Sequence, residues 1–202
     1  MKKICLVMAL AYMMLVSFKP DGGDGKHQGY EYVDLGLSVK WATCNVGASS
    51  PKEYGDYFSW GETRTKTKYD ELNCTTYCKP ISDISGNAQY DVAKAKWGGE
   101  WRMPTEEEID ELLNECTWTW ELREGVKGCK VTGPNGNSIF LPAAGNRNGS
   151  SLSNDGFSGS YWSSTHGEYE DYDASYLYFH SGVKYKSYNL RDNGQSVRPV
   201  VK

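Results

Sequence analysis

The stretch Trp97-Gly-Gly-Glu-Trp-Arg-Met-Pro-Thr-Glu-Glu-Glu-Ile-Asp-Glu-Leu-Leu113 constrains the fold most, because it fixes a helix start and the buried face of that helix together. Thr105 stands where an N-cap belongs, and Glu108, three residues later, can reach back to the N–H of the cap and close a capping box. Glu106 and Glu107 place negative charge at the positive end of the helix dipole. Ile109, Leu112, Leu113 and Cys116 then recur at helical spacing, leaving Asp110, Glu111, Asn114 and Glu115 for the wet side. Pro104 cannot lie inside such a helix, so it marks the entry. The segment is a signature of fold, and its acidic residues are accounted for by capping without any catalytic pocket.

The N-terminus reads as an export signal spanning 1–20. Lys2 and Lys3 precede an apolar run from Ile4 to Val16 that is too short to cross a bilayer, and Ser17 is a small residue suited to a cleavage point. Cys5 lies before the apolar run, where a lipoprotein would need a cysteine after it. The expectation is therefore export without a lipid anchor or a membrane span after leader removal. Residues 21–29, with Asp21-Gly-Gly-Asp-Gly-Lys26, read as a flexible linker, and 30–202 as one domain with one sizeable core. The 202-residue chain carries 22 basic and 26 acidic residues, a net charge of −4. It has no basic cluster, which argues against nucleic acid as a partner. Seven Trp and fifteen Tyr point to a β-rich domain with amphipathic surfaces.

Without the leader five cysteines remain, Cys44, Cys74, Cys78, Cys116 and Cys129, an odd number that leaves at least one thiol unpaired within the chain. Cys116, on the apolar helix stripe, and Cys44, in an alternating segment, read as small core residues. Cys74 and Cys78 suit a local pair, or a metal site needing outside ligands. The three histidines, His27, His166 and His180, are not at ligand spacing to one another.

Leu37, Val39, Trp41 and Thr43 alternate with small or polar residues, predicting a strand with one buried face. Tyr57–Trp60 is a second short strand candidate, and 62–86 reads as a long surface loop. A first helix is expected near Ala88–Lys96, stopped by Gly98-Gly99. Val126–Thr132 and Ser138–Leu141 flank Gly133-Pro-Asn-Gly-Asn137, a hairpin signal. Trp41, Trp60, Trp101, Ile109, Leu112, Leu113, Trp162 and Val197 are the expected scaffold core.

Seven of the fifteen tyrosines fall between Tyr161 and Tyr188, interleaved with Ser, Asp, Asn, Glu and His. Antibody paratopes share this composition: Tyr supplies contact area at low entropic cost, and Ser and Asn supply adaptable hydrogen bonds. From Ala174 to Ser181, Ser175, Leu177 and Phe179 alternate with Tyr176, Tyr178 and His180, so the first set is expected inside and the second outside. Ser181-Gly182 turns the chain into Val183–Tyr188. The candidate ligand-binding residues are Tyr169, Tyr172, Tyr176, Tyr178, His180, Tyr185, Tyr188 and Asn189, with an extracellular protein or glycan as the partner. The plain alternative is a β-sheet surface that merely uses Tyr.

The Arg102-Met-Pro-Thr-Glu106 segment resembles the Arg-Leu-Pro-Thr-Glu segment of C-type-lectin-like domains of the formylglycine-generating-enzyme type. The chain as a whole is more similar to the Fibrobacter succinogenes major paralogous domain family, common in secreted proteins of Bacteroides-type bacteria. The matching pieces are Tyr32–Gly47, Gly55–Glu62, the capped helix, Gly136–Gly145, Tyr161–Ser164 and Ser196–Val200, in one order over roughly residues 30 to 201. The resemblance implies an α+β, C-type-lectin-like domain with two main helices packed on a twisted, largely antiparallel sheet. The fold also serves variable proteins of diversity-generating retroelements, which end in a similar Gly-x-Ser-Val-Arg segment just after their ligand-contacting positions. Gly194-Gln-Ser-Val-Arg198 matches it, implying that outward residues of 166–193 line the ligand face and that Val197 and Arg198 belong to the scaffold.

Two other classes compete with non-catalytic recognition at the cell surface, adhesion included. The formylglycine-generating relatives hold copper with a late pair of cysteines, and no cysteine follows Cys129 here. Gly-x-Ser-x-Gly, His-Glu-x-x-His and phosphate-loop motifs are also missing, so the chain does not read as an enzyme. Calcium-dependent sugar binding would draw on Glu168, Glu170, Asp171, Asp173, Asn154 and Asp155. The Glu-Pro-Asn, Gln-Pro-Asp and Trp-Asn-Asp motifs of true C-type lectins are missing, so the expectation is no cofactor, with calcium as the alternative.

Overall fold

The computed structural model describes residues 23–168 and 170–202, so the expected leader and Tyr169 lie outside the described residues. In chain order the elements are strands β1 (Gly25–His27), β2 (Tyr30–Val33) and β3 (Lys40–Ala42), helices α1 (Val92–Trp97) and α2 (Glu106–Glu115), and strands β4 (Thr117–Arg123), β5 (Val126–Thr132), β6 (Ser138–Pro142), β7 (Asn146–Asn148), β8 (Ser151–Ser153), β9 (Ser158–His166), β10 (Asp173–His180), β11 (Val183–Leu190) and β12 (Val200–Val201). The molecule is a sheet-rich α+β protein with antiparallel pairing between all its strands. Among the described residues the expected single sheet is instead four: β1-β2-β3-β12, β4-β5-β6, β7-β8 and β9-β10-β11. Two of them are local meanders, and they meet through side chains: Trp41, Val131, Leu141, Tyr161, Leu177 and Phe179 share one core with Ile109 and Leu112 of α2.

The capping box forms as the sequence predicts. Thr105 Oγ1 accepts from the Glu108 N–H at 3.3 Å, and a Glu108 carboxylate oxygen accepts from the Thr105 N–H at 2.9 Å. Glu108 also pairs with Arg102, so one carboxylate ties the cap to the strand-like segment before Pro104. Ile109, Leu112 and Cys116 are buried, while Leu113 is half-buried against the same core. The wet side is less free than the pattern predicts: Glu111 accepts from the Ser38 N–H and hydroxyl, and Asp110 accepts from Lys186.

The first helix begins later than expected, at Val92. Its N-cap is Asp91, a fully buried carboxylate that accepts from the N–H groups of Lys94 at 3.0 Å, Gly86 at 2.8 Å and Met103 at 2.9 Å. Turns occupy residues 88–90, and Gly98 ends the helix at φ 69°. The 126–142 hairpin is present, and it gains a strand the sequence reading overlooked. Thr117-Trp-Thr-Trp-Glu-Leu-Arg123 alternates with period two, and Glu124-Gly125 turns it directly onto β5.

The 37–43 segment is a strand only over Lys40–Ala42, and Trp41, Ala42 and Thr43 are all buried. No one-sided alternation survives because β3 lies between β2 and β12 with packing on both faces: Trp41 joins the core around α2, and Ala42 a second cluster. Tyr57–Trp60 is entirely buried, but among the described residues its only strand-like pairing is a bridge between Phe58 and Gln195. Phe58, Trp60, Trp97, Trp101, Trp162 and Val197 build that second cluster. Residues 25–27, expected in the linker, form β1 because His27 is held at both ends: its Nε2 accepts from the Glu100 N–H, and its carbonyl from Trp101 Nε1.

The 62–86 segment is irregular, as expected, apart from a single 3-10 turn at Glu71–Asn73. It is nonetheless anchored by buried side chains. The Tyr69 hydroxyl donates to the Tyr57 carbonyl at 2.7 Å, and Thr76 Oγ1 donates to the Trp60 carbonyl at 2.5 Å. Arg191, fully buried over the Trp60 ring at 4.4 Å, donates to the carbonyls of Thr76 and Lys79.

Candidate functional site

The site rests on the register of one hairpin. Ser181-Gly182, with Gly182 at φ 82°, is a two-residue connection, so His180 pairs with Val183, Tyr178 with Tyr185 and Tyr176 with Ser187. Directly opposed residues share a face of the sheet. Even positions of β10 therefore stand beside odd positions of β11. Leu177 and Phe179 point into the core with Tyr161, and Ser175 is buried on that same side, while Tyr176, Tyr178 and His180 are half-buried on the other. The inside and outside sets are those the alternation predicts.

On the outer side the rings make a connected aromatic row. Trp162 and Tyr176 lie 6.1 Å apart, Tyr176 and Tyr178 6.4 Å, and Tyr178 and His180 5.8 Å between centroids. Phe157 stacks on His180 at 5.7 Å, and Tyr185 leans on Tyr178 at 5.1 Å. The row changes character along its length. Trp162 is fully buried, and burial, with smaller contributions from Tyr185 and Tyr178, pushes the Tyr176 hydroxyl up to about 12. At the hairpin end Phe157 is 62% exposed, Tyr185 44% and Val183 39%, so this end is an open apolar and aromatic patch. The hydroxyls of Tyr176, Tyr178 and Tyr185 have no hydrogen-bond partner among the described residues. Tyr178 and Tyr185 are thus fixed by neighbouring rings with their hydroxyls unpartnered among the described residues, whereas Tyr176 packs against the second buried cluster.

Tyr188 stands elsewhere. It pairs with Ser175, which puts it on the core side with Lys186 and Lys184, and its hydroxyl donates to Glu106 of α2 at 3.4 Å. Lys186 bridges Asp110 at 2.6 Å and Glu106 at 3.2 Å, and Lys184 donates to the Leu113 carbonyl while lying over the Trp118 ring. These three side chains fasten β11 to the helix, so Tyr188 stands apart from the aromatic row. Asn189 has the outer parity but lies at the far end, where its side-chain oxygen accepts from Asn193 at 3.4 Å. Tyr172 precedes β10, is 36% exposed and leans on Tyr77 of the long loop at 6.2 Å. Phe157 and Val183 complete the patch and escaped the sequence reading. Phe157 lies just before β9 and Val183 opens β11, where too little periodicity precedes either side chain to mark it as outward.

All five described cysteines are free thiols, so Cys74 and Cys78 are not joined. Cys74, Cys116 and Cys129 are buried, Cys78 is exposed and Cys44 only half-buried, beside the Thr43 hydroxyl. Burial pushes the thiol of Cys116 up to about 11 and that of Cys129 up to about 12. Among the described residues no group of three or more His, Cys, Asp or Glu is arranged to hold a metal ion. Of the acidic residues considered for calcium, Asp173 is half-buried, and burial raises its carboxyl above the usual range despite the nearby Arg191. Val197 and Arg198 are fully buried scaffold, as the resemblance implies. Among the described residues no helix is long and apolar enough to cross a membrane. Comparison with protein-family models, with curated proteins and with solved structures gives no match.

Proposed function

We propose that the chain is an exported, non-catalytic recognition domain of the C-type-lectin-like type, related to the Fibrobacter succinogenes major paralogous domains. It binds an extracellular protein or glycan through the open end of its aromatic row. The observation that carries this reading is the cluster Phe157, Tyr178, His180, Val183 and Tyr185. Here each ring is held against a neighbour, large apolar surface is exposed, and the hydroxyls of Tyr178 and Tyr185 have no partner among the described residues. A patch of this kind costs solubility unless something binds it, and rigid tyrosines lose little entropy when they do. Support for export comes from the charged start and short apolar run of the N-terminus.

The test is a protein and glycan array probed with the wild-type chain and with the Tyr178→Ala, Tyr185→Ala double variant. Loss of central aromatic contacts should weaken any captured ligand by at least about tenfold, the scale of an interface hot spot. Binding undiminished in a double variant of unchanged urea midpoint removes the patch from the function. Stoichiometric copper uptake with oxygen consumption would restore an oxidase reading.

A further inference from the structure

We propose that a second site, a cleft beneath the long loop, takes an acidic oligosaccharide, its acid group a uronate carboxylate or a sulfate ester. The cleft encloses about 450 Å³ between residues 61–68, Asn73, Thr75 and the pair Gln89 and Tyr90. That volume lies in the range of about 300–1,000 Å³ occupied by small-molecule sites. It shares no residue with the aromatic row.

The lining chooses the chemistry of the ligand. Apart from the Tyr90 ring its side chains end in hydroxyl, amide or charged groups, with apolar surface between them to meet the C–H faces of a ligand. Most of the charge is already spent within the protein. Lys66 pairs with Glu62 and donates to the Asn73 carbonyl at 2.9 Å, Lys68 pairs with Asp70 at 2.6 Å, and Glu62 also accepts from the Thr75 N–H and hydroxyl. Arg64 is different. It is exposed at the cleft and makes no ion pair or hydrogen bond to any described residue. Beside it the hydroxyls of Thr63, Thr65 and Thr67 are equally unengaged among the described residues. An unpaired guanidinium offers a planar fork that fits a carboxylate or a sulfate with two parallel bonds. Adjacent hydroxyls, an amide and an aromatic face are the groups that hold sugar hydroxyls and the C–H face of a sugar ring.

The cleft is also built in advance. Tyr69 exchanges backbone hydrogen bonds with Gly149 at 2.8 and 2.7 Å, and the buried Tyr69 and Thr76 hydroxyls pin both ends of the lining segment to the core. Little loop ordering is left for a ligand to offset, which favours affinity in a polar site.

The experiment is calorimetric titration of the full chain with three tetrasaccharides, one bearing uronates, one sulfate esters and one neutral, plus a short polyglutamate as a non-sugar anion. At least one acidic sugar should bind, with the neutral sugar and polyglutamate at least tenfold weaker and with affinity falling as salt is raised. Arg64→Gln should lower acidic-sugar affinity tenfold or more, and Thr63→Ala with Thr65→Ala should lower it further. Which acidic sugar wins identifies the acid group. The Tyr178→Ala, Tyr185→Ala variant should bind it unchanged, which separates this site from the aromatic patch. No binding of either acidic sugar, equal binding of the neutral sugar or polyglutamate, or an Arg64→Gln variant of unchanged affinity would overturn the assignment.

Discussion

Arg198 is fully buried, and its hydrogen-bond partners are all neutral. Its Nε donates to the Asn45 side-chain oxygen at 2.9 Å, one terminal nitrogen to the carbonyls of Ala42 at 3.0 Å and Thr43 at 2.9 Å, and the other to the Phe140 carbonyl at 3.0 Å. Burial pushes the guanidinium's pKa down, yet the group keeps its proton because four oxygens replace the water it has lost. Arg198→Met preserves most of the apolar stem and removes all four hydrogen bonds. Each orphaned buried acceptor costs about 1–3 kcal/mol, and relief from desolvating a charge returns part of that, leaving a net loss of about 4 kcal/mol. For a domain of this size such a loss lowers the melting temperature by roughly 8–16 °C. Urea unfolding followed by tryptophan fluorescence reads it directly, because Trp41 adjoins Ala42 and lies in the core. An unchanged slope with a lower midpoint is the expected signature. A variant within about 1 kcal/mol of wild type would refute the view that this arginine fastens the β3 region to β6.

Thr105→Ala removes one half of the capping box and should cost about 1 kcal/mol in the same unfolding assay, with Thr105→Ser restoring it. Alkaline stability should follow the buried thiols. Cys116 and Cys129 keep their protons to about 11 and about 12 in the folded chain, whereas the unfolded chain releases them near its ordinary value of 9. The unfolded state therefore binds fewer protons in that window, and stability should be intact below it and fall as pH rises through it. A Cys129→Val variant should flatten the decline in pH-dependent denaturation, and exposed Cys78 should alkylate well before either buried thiol.

Short-range chemistry was the most legible part of the sequence. The capped helix, the 126–142 hairpin and the inside-outside alternation of β10 each depend on residues within a few positions of one another. Strand β4 was equally local, but its Thr-Trp alternation sits directly after a helical stripe, which masked the change of period. The β3 region misled because alternation presumes one wet face, and tertiary packing covers both. Tyr188 is the instructive case. The two-residue turn at Ser181-Gly182 already fixes Tyr178 opposite Tyr185, and counting onward places Tyr188 with Ser175 on the helix side. Composition grouped it with the other tyrosines where register separates it. Phe157 and the cleft around Arg64 lay beyond reach, because both arise where distant segments meet.

The last strand closes the first sheet: β12 pairs with β3, and Arg198 reaches Asn45 across 153 residues of chain. A nascent polypeptide not yet extended through residues 198–201 thus has neither β12 nor the donor that satisfies the Ala42, Thr43 and Phe140 carbonyls. Contacts so distant along the chain slow folding, because much loop entropy is lost before they form. Synthesis of residues 198–201, rather than the emergence of the aromatic hairpin, is therefore the event that lets the first sheet reach its native arrangement.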